Sequence, residues 1–446
     1  MKRLFVLFTP LLLVVVATCQ CQEAQSPPDP FKGILDRLAS LTVEAEPEWR
    51  YHDDIPHPED PSVDDAAWPI VKVSEPWKTG PRVLRRWIQI PEKVNGYAVK
   101  GARIELRLHL ESWDSLMITV FSNRSQVART DEDLQQPITL TESAVPGEKY
   151  LIAVRVDCHR VQTQINESEL KIIPSSDRPD PDLLHAEIRS AQPMICAYAE
   201  GKAQREQELA AAVSAIDFRP LEGGDQAGFD QSLRQAQTKL ETLKPWLQQF
   251  TVRAVGNSHI DMAWLWPWTE TVEVVRNTFN SVLDLMREYP DFKFTMSSAR
   301  TYAWIEEKYP DMFSQIQQRV REGRWEVIGG MWVEPDLNMP GGESLVRQIL
   351  IGKRYFRQKF NVDVKIGWNP DSFGYNWQLP QIYKKSGMDY FVTQKLLWAQ
   401  DFTKFPYRLF WWESPDGSRL LTYFPRNYAA DMNPVQLAKD LSFWAP

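Results

Sequence analysis

From Trp49 to about Pro174 apolar and polar positions alternate, the pattern of strands with one buried face. The runs VLRRWIQI (Val83–Ile90), RIELRLHL (Arg103–Leu110), SLMITVF (Ser115–Phe121) and YLIAVRV (Tyr150–Val156) carry it. Asn95-Gly96, Ser122-Asn123 and Pro146-Gly147 supply turns between them. This spacing predicts a jelly-roll-like β-sandwich over residues 48–175. Over 176–250 the period becomes helical: Leu183–Asp217 and Phe229–Phe250 are rich in Ala, Gln, Glu and Leu, with a break at Gly223, Gly224 and Gly228. They predict a helical connector between two domains. After Thr251 strands and helices alternate. Strand Val252–Gly256 precedes helix Glu270–Tyr289, strand Phe292–Met296 precedes helix Tyr302–Glu322, and strand Trp325–Ile328 precedes helix Glu343–Phe360. Strand Val364–Trp368, a short helix Leu379–Ser386 and strand Tyr390–Thr393 continue the series. Residues 251–446 therefore predict a parallel sheet or barrel covered by helices, and the chain as a whole a multidomain α/β protein.

The N-terminus reads as a targeting segment. Lys2 and Arg3 precede an apolar run, Leu4 to Ala17, that is too short to span a bilayer comfortably. Residues 1–21 are expected to be a signal peptide, so the protein is exported: periplasmic, membrane-anchored or secreted. Val16-Ala17-Thr18-Cys19 resembles a bacterial lipoprotein processing site, which would leave a lipid on Cys19 as a membrane tether. Ordinary cleavage near Cys19 or Cys21 is the alternative. Residues 22–47 read as a linker, Pro-rich at Ser26–Pro30, with one amphipathic segment at Phe31–Leu41. The two body cysteines, Cys158 and Cys196, are either a disulfide, which export permits, or two free buried thiols. A length of 446 residues accommodates two or three domains, and the 43% apolar and 25% charged fractions describe a soluble globular chain. A net charge of −8 with no long basic run argues against a nucleic-acid partner.

Ligand sites in β–α folds lie where strands give way to loops, and the chemistry-bearing residues sit there. After the first strand TVRAVGNSHIDMAWLWPW places His259 and Asp261 two residues apart, followed by Trp264, Trp266 and Trp268. In an extended backbone residues i and i+2 point to one side, so an imidazole and a carboxylate can meet at one point, as a zinc ion requires. The plainer reading is a chance pair beside core tryptophans. After the third strand come Trp332, Glu334 and Asp336, and after the fourth Asn369, Asp371, Ser372 and Phe373 within GWNPDSFGYN. Asp371, between Pro370 and Gly374, sits on a sharp turn that exposes its carboxylate; alternatively it caps the next helix.

GNSHIDMAWLW together with GWNPDSFGY resembles the catalytic domain of glycoside hydrolase family 38, the α-mannosidases. EPDLNMPGGESLVRQ, QKLLW (Gln394–Trp398) and the hairpin FWWESPDGSRLLTYFP (Phe410–Pro425) resemble its bacterial and cytosolic branch, with Gly341 departing from the branch's usual Ser. The resemblance covers roughly Thr251 to Pro425. It implies a catalytic domain built on a seven-stranded mannosidase-type barrel, one Zn2+ per chain, or another divalent metal, and α-mannoside glycans as substrate. Position by position it implies that His259, Asp261 and Asp371 bind zinc, that Asp371 is also the catalytic nucleophile, and that Trp264 and Asp336 contact the sugar. A metal-bound carboxylate stays ionised and can attack the anomeric carbon, giving a glycosyl-enzyme and retention of configuration. Zinc in the family also holds the 2- and 3-hydroxyls of the mannose. Asp64, Asp65 and Trp68 resemble the opening of sugar-binding sandwich domains found beside glycosidases.

The family completes its zinc shell with a second His, and supplies its general acid, further along the chain. The six histidines here are His52, His57, His109, His159, His185 and His259, and none follows His259. The chain is therefore expected to be a fragment whose barrel is incomplete at Pro446 and whose own activity is doubtful. Two other classes stay open: an exported, non-catalytic carbohydrate-binding protein, and a metal-dependent polysaccharide deacetylase. The second normally needs two His on one helical turn, and no His-x-x-x-His occurs.

Overall fold

The computed structural model describes residues 29–445 apart from 47, 78–79, 112–116, 131–133, 135–136, 158–162, 265, 399–404, 406, 427, 429–431 and 444. Residues 1–21, with the expected signal peptide and Cys19 and Cys21, and Cys158 lie outside the described residues. Among the described residues no helix is long and apolar enough to cross a membrane.

The alternating runs form two antiparallel sheets. One has the order Val43–Ala45, Gln164–Ile173, Arg103–Glu111, Ile138–Thr141; the other has Ile70–Lys72, Glu48–Asp53, Arg82–Gln89, Lys149–Asp157, Met117–Ser122, Ser125–Thr130. Every second residue of one strand, Ile104, Leu106, Leu108 and Leu110, enters a core shared with Leu84, Ile118, Val120, Ile152 and Val154 of the other sheet. Register keeps that face continuous, Val154 lying opposite Leu84 on one side and Val120 on the other. Each such side chain contributes about 1.5–3 kcal/mol by burial. Trp49 Nε1 bridges the sheets by donating to Ser168 Oγ at 2.9 Å. Arg85, on the opposite face of its strand from Leu84, buries a guanidinium that donates to the carbonyls of Val63 (3.0 Å) and Asp60 (3.1 Å). Asp65 lies 3.5 Å from it and the Trp68 ring 5.6 Å, while Asp64 accepts from the Ala66 N–H. The residues that resembled a sugar-binding opening are thus engaged in holding the 54–69 loop around Arg85.

Three expectations need correction here. Residues 22–47 are not a free linker over their second half: Lys32–Ser40 is a helix whose Leu35 and Leu38 pack into the connector core, and Val43–Ala45 pairs with Glu169–Lys171. Apolar spacing at Leu35 and Leu38 buries one face of that helix against Leu184 and Ile188. The long connector helix divides into Pro181–Ala197 and Lys202–Val213, because Gly201 takes a left-handed φ of 65° between them. Cys196 is a free thiol exposed at the end of the first of these, not buried.

The C-terminal half begins with β1 (Gly256–Asn257), α1 (Trp268–Glu288), β2 (Phe294–Met296), α2 (Ala299–Lys308), α3 (Pro310–Arg321), β3 (Trp325–Val327) and α4 (Gly342–Phe360). It continues with β4 (Ile366–Trp368), α5 (Leu379–Lys385), β5 (Tyr390–Val392) and the hairpin β6 (Leu409–Glu413) and β7 (Arg419–Tyr423). Strands β1, β2 and β3 are parallel neighbours, as are β4, β5 and β7, with β6 antiparallel at the edge. The Gly329 N–H donates to the Ile366 carbonyl at 2.9 Å and joins the two groups. Amphipathic helices cover the sheet through Val275, Phe279, Leu283, Tyr302, Ile305, Leu345, Ile349 and Phe356.

Two local expectations fail for identifiable reasons. The first strand was expected at Val252–Gly256, but only Gly256–Asn257 pairs, and Val252 and Val255 are exposed. The run lies at the sheet edge, where only β2 is beside it and the ladder takes two residues. The helix expected over Tyr302–Glu322 breaks at Tyr309-Pro310, since the residue before a proline avoids helical geometry; Tyr309 has φ −135° and ψ 62°.

Candidate metal centre

The loop after β1 is tied down before it delivers its ligands. Asn257 Nδ2 donates to the Thr295 carbonyl at 3.0 Å, and the Thr271 hydroxyl donates to the Asp261 carbonyl at 3.2 Å while accepting from Trp266 Nε1. The loop is thereby folded back on the first turns of α1. His259 Nε2 then stands 3.2 Å from Asp261 Oδ1, the same-side convergence expected of an i, i+2 pair.

Asp371 arrives from the β4 loop. Its shape is set by Asn369, which is 1% exposed, receives the Tyr383 hydroxyl at 2.9 Å and donates to Ser372 Oγ at 3.2 Å. Gly374 takes φ 72°, and a Cβ there would lie 2.2 Å from the Asn338 Cβ, so only glycine lets this loop meet the one after β3. The Leu337 N–H donates to the Phe373 carbonyl at 2.7 Å across that contact. Asp371 Oδ2 comes to 3.9 Å from His259 Nε2. Its other oxygen, Oδ1, receives Lys395 Nζ at 2.7 Å and the Tyr428 hydroxyl at 3.0 Å. Lys395 Nζ also lies 4.0 Å from the Trp398 ring centre and 4.7 Å from that of Phe373, and Trp398 stacks on Tyr428.

Glu334, after β3, connects the two ligand loops. Its Oε2 lies 3.2 Å from His259 Nδ1, and its Oε1 accepts from the Asp371 N–H at 2.9 Å and from the Ser372 hydroxyl at 3.1 Å. Burial pushes the His259 pKa down, but the hydrogen bond and charge of Glu334, with the charges of Asp261 and Asp371, outweigh it, and the net direction is up. Burial and the neighbouring Asp371 carboxylate raise the Tyr428 phenol far above neutrality, so it donates as O–H.

One ligand atom each from His259, Asp261 and Asp371 lie within 4.8 Å of one another. In a tetrahedral site with bonds of ~2.1 Å, ligand atoms are about 3.4 Å apart. The 3.2 and 3.9 Å separations bracket that figure, and one imidazole with two carboxylates is a donor set that suits a small divalent cation. Trp264 stands on the same loop as the first two ligands, 57% exposed and edge-on to Trp266. Asp336 is exposed, and its Oδ1 accepts from the N–H groups of Asn338 and Met339, which turns the loop. Sequence reasoning assigned no role to Glu334, Lys395 or Tyr428. Glu334 stood in a polar cluster at a strand end; Lys395 and Tyr428 reach Asp371 only through tertiary folding.

Residues 249–444 match the family described as glycosyl hydrolases family 38 N-terminal domain. Alpha-mannosidase G of Dictyostelium discoideum is 42% identical over 194 residues, 43% of this chain and 18% of its own length. Alpha-mannosidase of Saccharomyces cerevisiae is 42% identical over 183 residues, 40% of this chain and 17% of its own. Alpha-mannosidase 2C1 of Homo sapiens is 44% identical over 177 residues, 40% and 17% respectively. The chain thus spans less than a fifth of these curated relatives. A solved alpha-mannosidase from Enterococcus faecalis V583 is 22% identical, with a TM-score of 0.37 over 42% of this chain and 22% of its own.

Proposed function

We propose, from the membership of residues 249–444 in glycosyl hydrolase family 38, that this chain carries the metal-binding and nucleophile-bearing part of a zinc-dependent, retaining α-mannosidase. Its substrates are glycans ending in α-linked mannose. The observation that carries the reading is the meeting of His259, Asp261 and Asp371 from two strand-end loops. His259, Asp261 and one oxygen of Asp371 would hold the ion, and zinc, when bound, supplies a Lewis acid that polarises and anchors sugar hydroxyls.

The remaining chemistry belongs to the protein. Lys395 and Tyr428 hold Asp371 Oδ1 through charge-assisted bonds, fixing the carboxylate's orientation. A carboxylate so fixed can attack the anomeric carbon in line with the departing glycosidic oxygen, forming an ester to Asp371 that water later opens. Phe373, Trp398 and Trp264, each more than half exposed, offer apolar faces for a pyranose ring. The same reading places the enzyme outside the cytoplasm, from Lys2, Arg3 and the apolar run that follows, with Cys19 as the point of lipid attachment. An activated fluoro-mannoside that forms a slow ester tests it: peptide mass spectrometry is expected to find the sugar on Asp371. Labelling of another residue, or labelling indifferent to whether the sugar is α-manno or β-gluco, contradicts it.

A further inference from the structure

The mechanism leaves Glu334 without a role, although its carboxylate is largely buried and touches both ligand loops. Among the described residues its oxygens accept from the Asp371 N–H and the Ser372 hydroxyl and stand 3.2 Å from His259 Nδ1, a third donor wherever that nitrogen carries the proton. The Ser372 hydroxyl ends a relay in which Tyr383 donates to Asn369, Asn369 to Ser372 and Ser372 to Glu334. Every bond in the relay points toward Glu334, so the carboxylate is its terminal acceptor. His259 faces a carboxylate at each nitrogen, Glu334 at Nδ1 and Asp261 at Nε2, and a neutral ring that ligates a cation through Nε2 carries its proton on Nδ1, toward Glu334. We propose that Glu334 is a positioning residue that fixes the Nδ1–H tautomer of His259, turning the Nε2 lone pair toward Asp261 and Asp371, and that anchors the Asp371 backbone with its other oxygen. This rests on the metal reading above for its purpose, though not for its geometry.

Two carboxylate oxygens satisfy three donors, and an amide cannot. In Glu334→Gln the NH2 group must face either the Asp371 N–H and Ser372 hydroxyl or His259 Nδ1. In the first case it meets a donor; in the second it forces the proton to Nε2, where it blocks the ligating lone pair. Loss of such a supporting bond typically weakens metal binding by roughly 10–100-fold.

The test combines imidazole nitrogen NMR of the metal-free protein, in alkaline buffer where the ring is neutral, with zinc titration against a chromophoric chelator. Wild-type His259 is expected as the Nδ1–H tautomer. Glu334→Gln is expected to shift it toward Nε2–H and to weaken zinc binding roughly 10–100-fold, while Ser372→Ala keeps the tautomer. An Nε2–H ring in the wild-type protein overturns the proposal, and so does unchanged zinc affinity in a folded Glu334→Gln variant. If that variant does not fold, the wild-type tautomer decides alone. An Nδ1–H ring in a wild-type chain that takes up no zinc supports the positioning role and instead overturns the metal reading.

Discussion

The two halves of the molecule bury different chemistry at comparable depth. Between the antiparallel sheets the packed interior is apolar, and the buried charge of Arg85, on the opposite face of its strand from Leu84, holds a loop. At the strand ends of the parallel sheet the buried residues include Thr295, Ser297, Ser298, Asn369, Ser372, Thr393 and Gln394. Such groups cost free energy to bury unless hydrogen-bonded, and Asn369 and Ser372 repay it by fixing the backbone that carries Asp371. The first half spends its interior on stability, the second on holding a few side chains in place. A substitution in one should therefore move a different observable from a substitution in the other.

The largest effect is expected from Asp371→Ala. It removes the proposed nucleophile, so covalent labelling should vanish, and zinc affinity should drop by more than the ~10–100-fold of losing a supporting bond. Retained labelling would break the contrast at its functional end. Leu106→Ala in the sandwich core is the counterpart: a loss of about 2–5 kcal/mol in urea unfolding, with zinc affinity unchanged. If zinc affinity fell with it, the halves would not be energetically separate. Gly374→Ala should affect both observables, since a methyl group at φ 72° collides with Asn338; about 1–3 kcal/mol of strain and weaker zinc binding are expected together. Trp264→Ala, at an exposed position, should change stability by no more than about 0.5 kcal/mol, and its effect should appear in mannoside affinity.

A pH series sharpens the same contrast. Because the folded His259 pKa is raised, the metal-free protein keeps this stabilising contribution in full below the ordinary imidazole range. It loses the contribution as the pH rises through the raised value. Zinc requires the neutral ring, so its affinity should climb over that same interval; an affinity that is flat there would exclude His259 as a ligand.

Much of this was legible in the residues. Period-two runs such as Arg103–Leu110 named the antiparallel strands because one buried face leaves its mark on every second position. His259 and Asp261 were legible as a pair because their spacing alone turns them to one side. The Tyr309-Pro310 break was present in the sequence and was overridden by the apolar periodicity on either side of it. The short first strand was not readable, since Val252 and Val255 are apolar in composition and exposed only because of where the sheet ends. The roles of Lys395, which stands inside QKLLW, and of Tyr428 were unreadable for a related reason: a single cation and a phenol carry no periodic signal, and their meeting with Asp371 exists only in three dimensions.

The account turns on a shared metal ion, and anomalous diffraction at the zinc edge from crystals grown with zinc addresses it most directly. One zinc peak is expected with His259 Nε2 and one oxygen each of Asp261 and Asp371 at about 2.0–2.2 Å. A peak bound elsewhere, or three side chains left without an ion at saturating zinc, would contradict it.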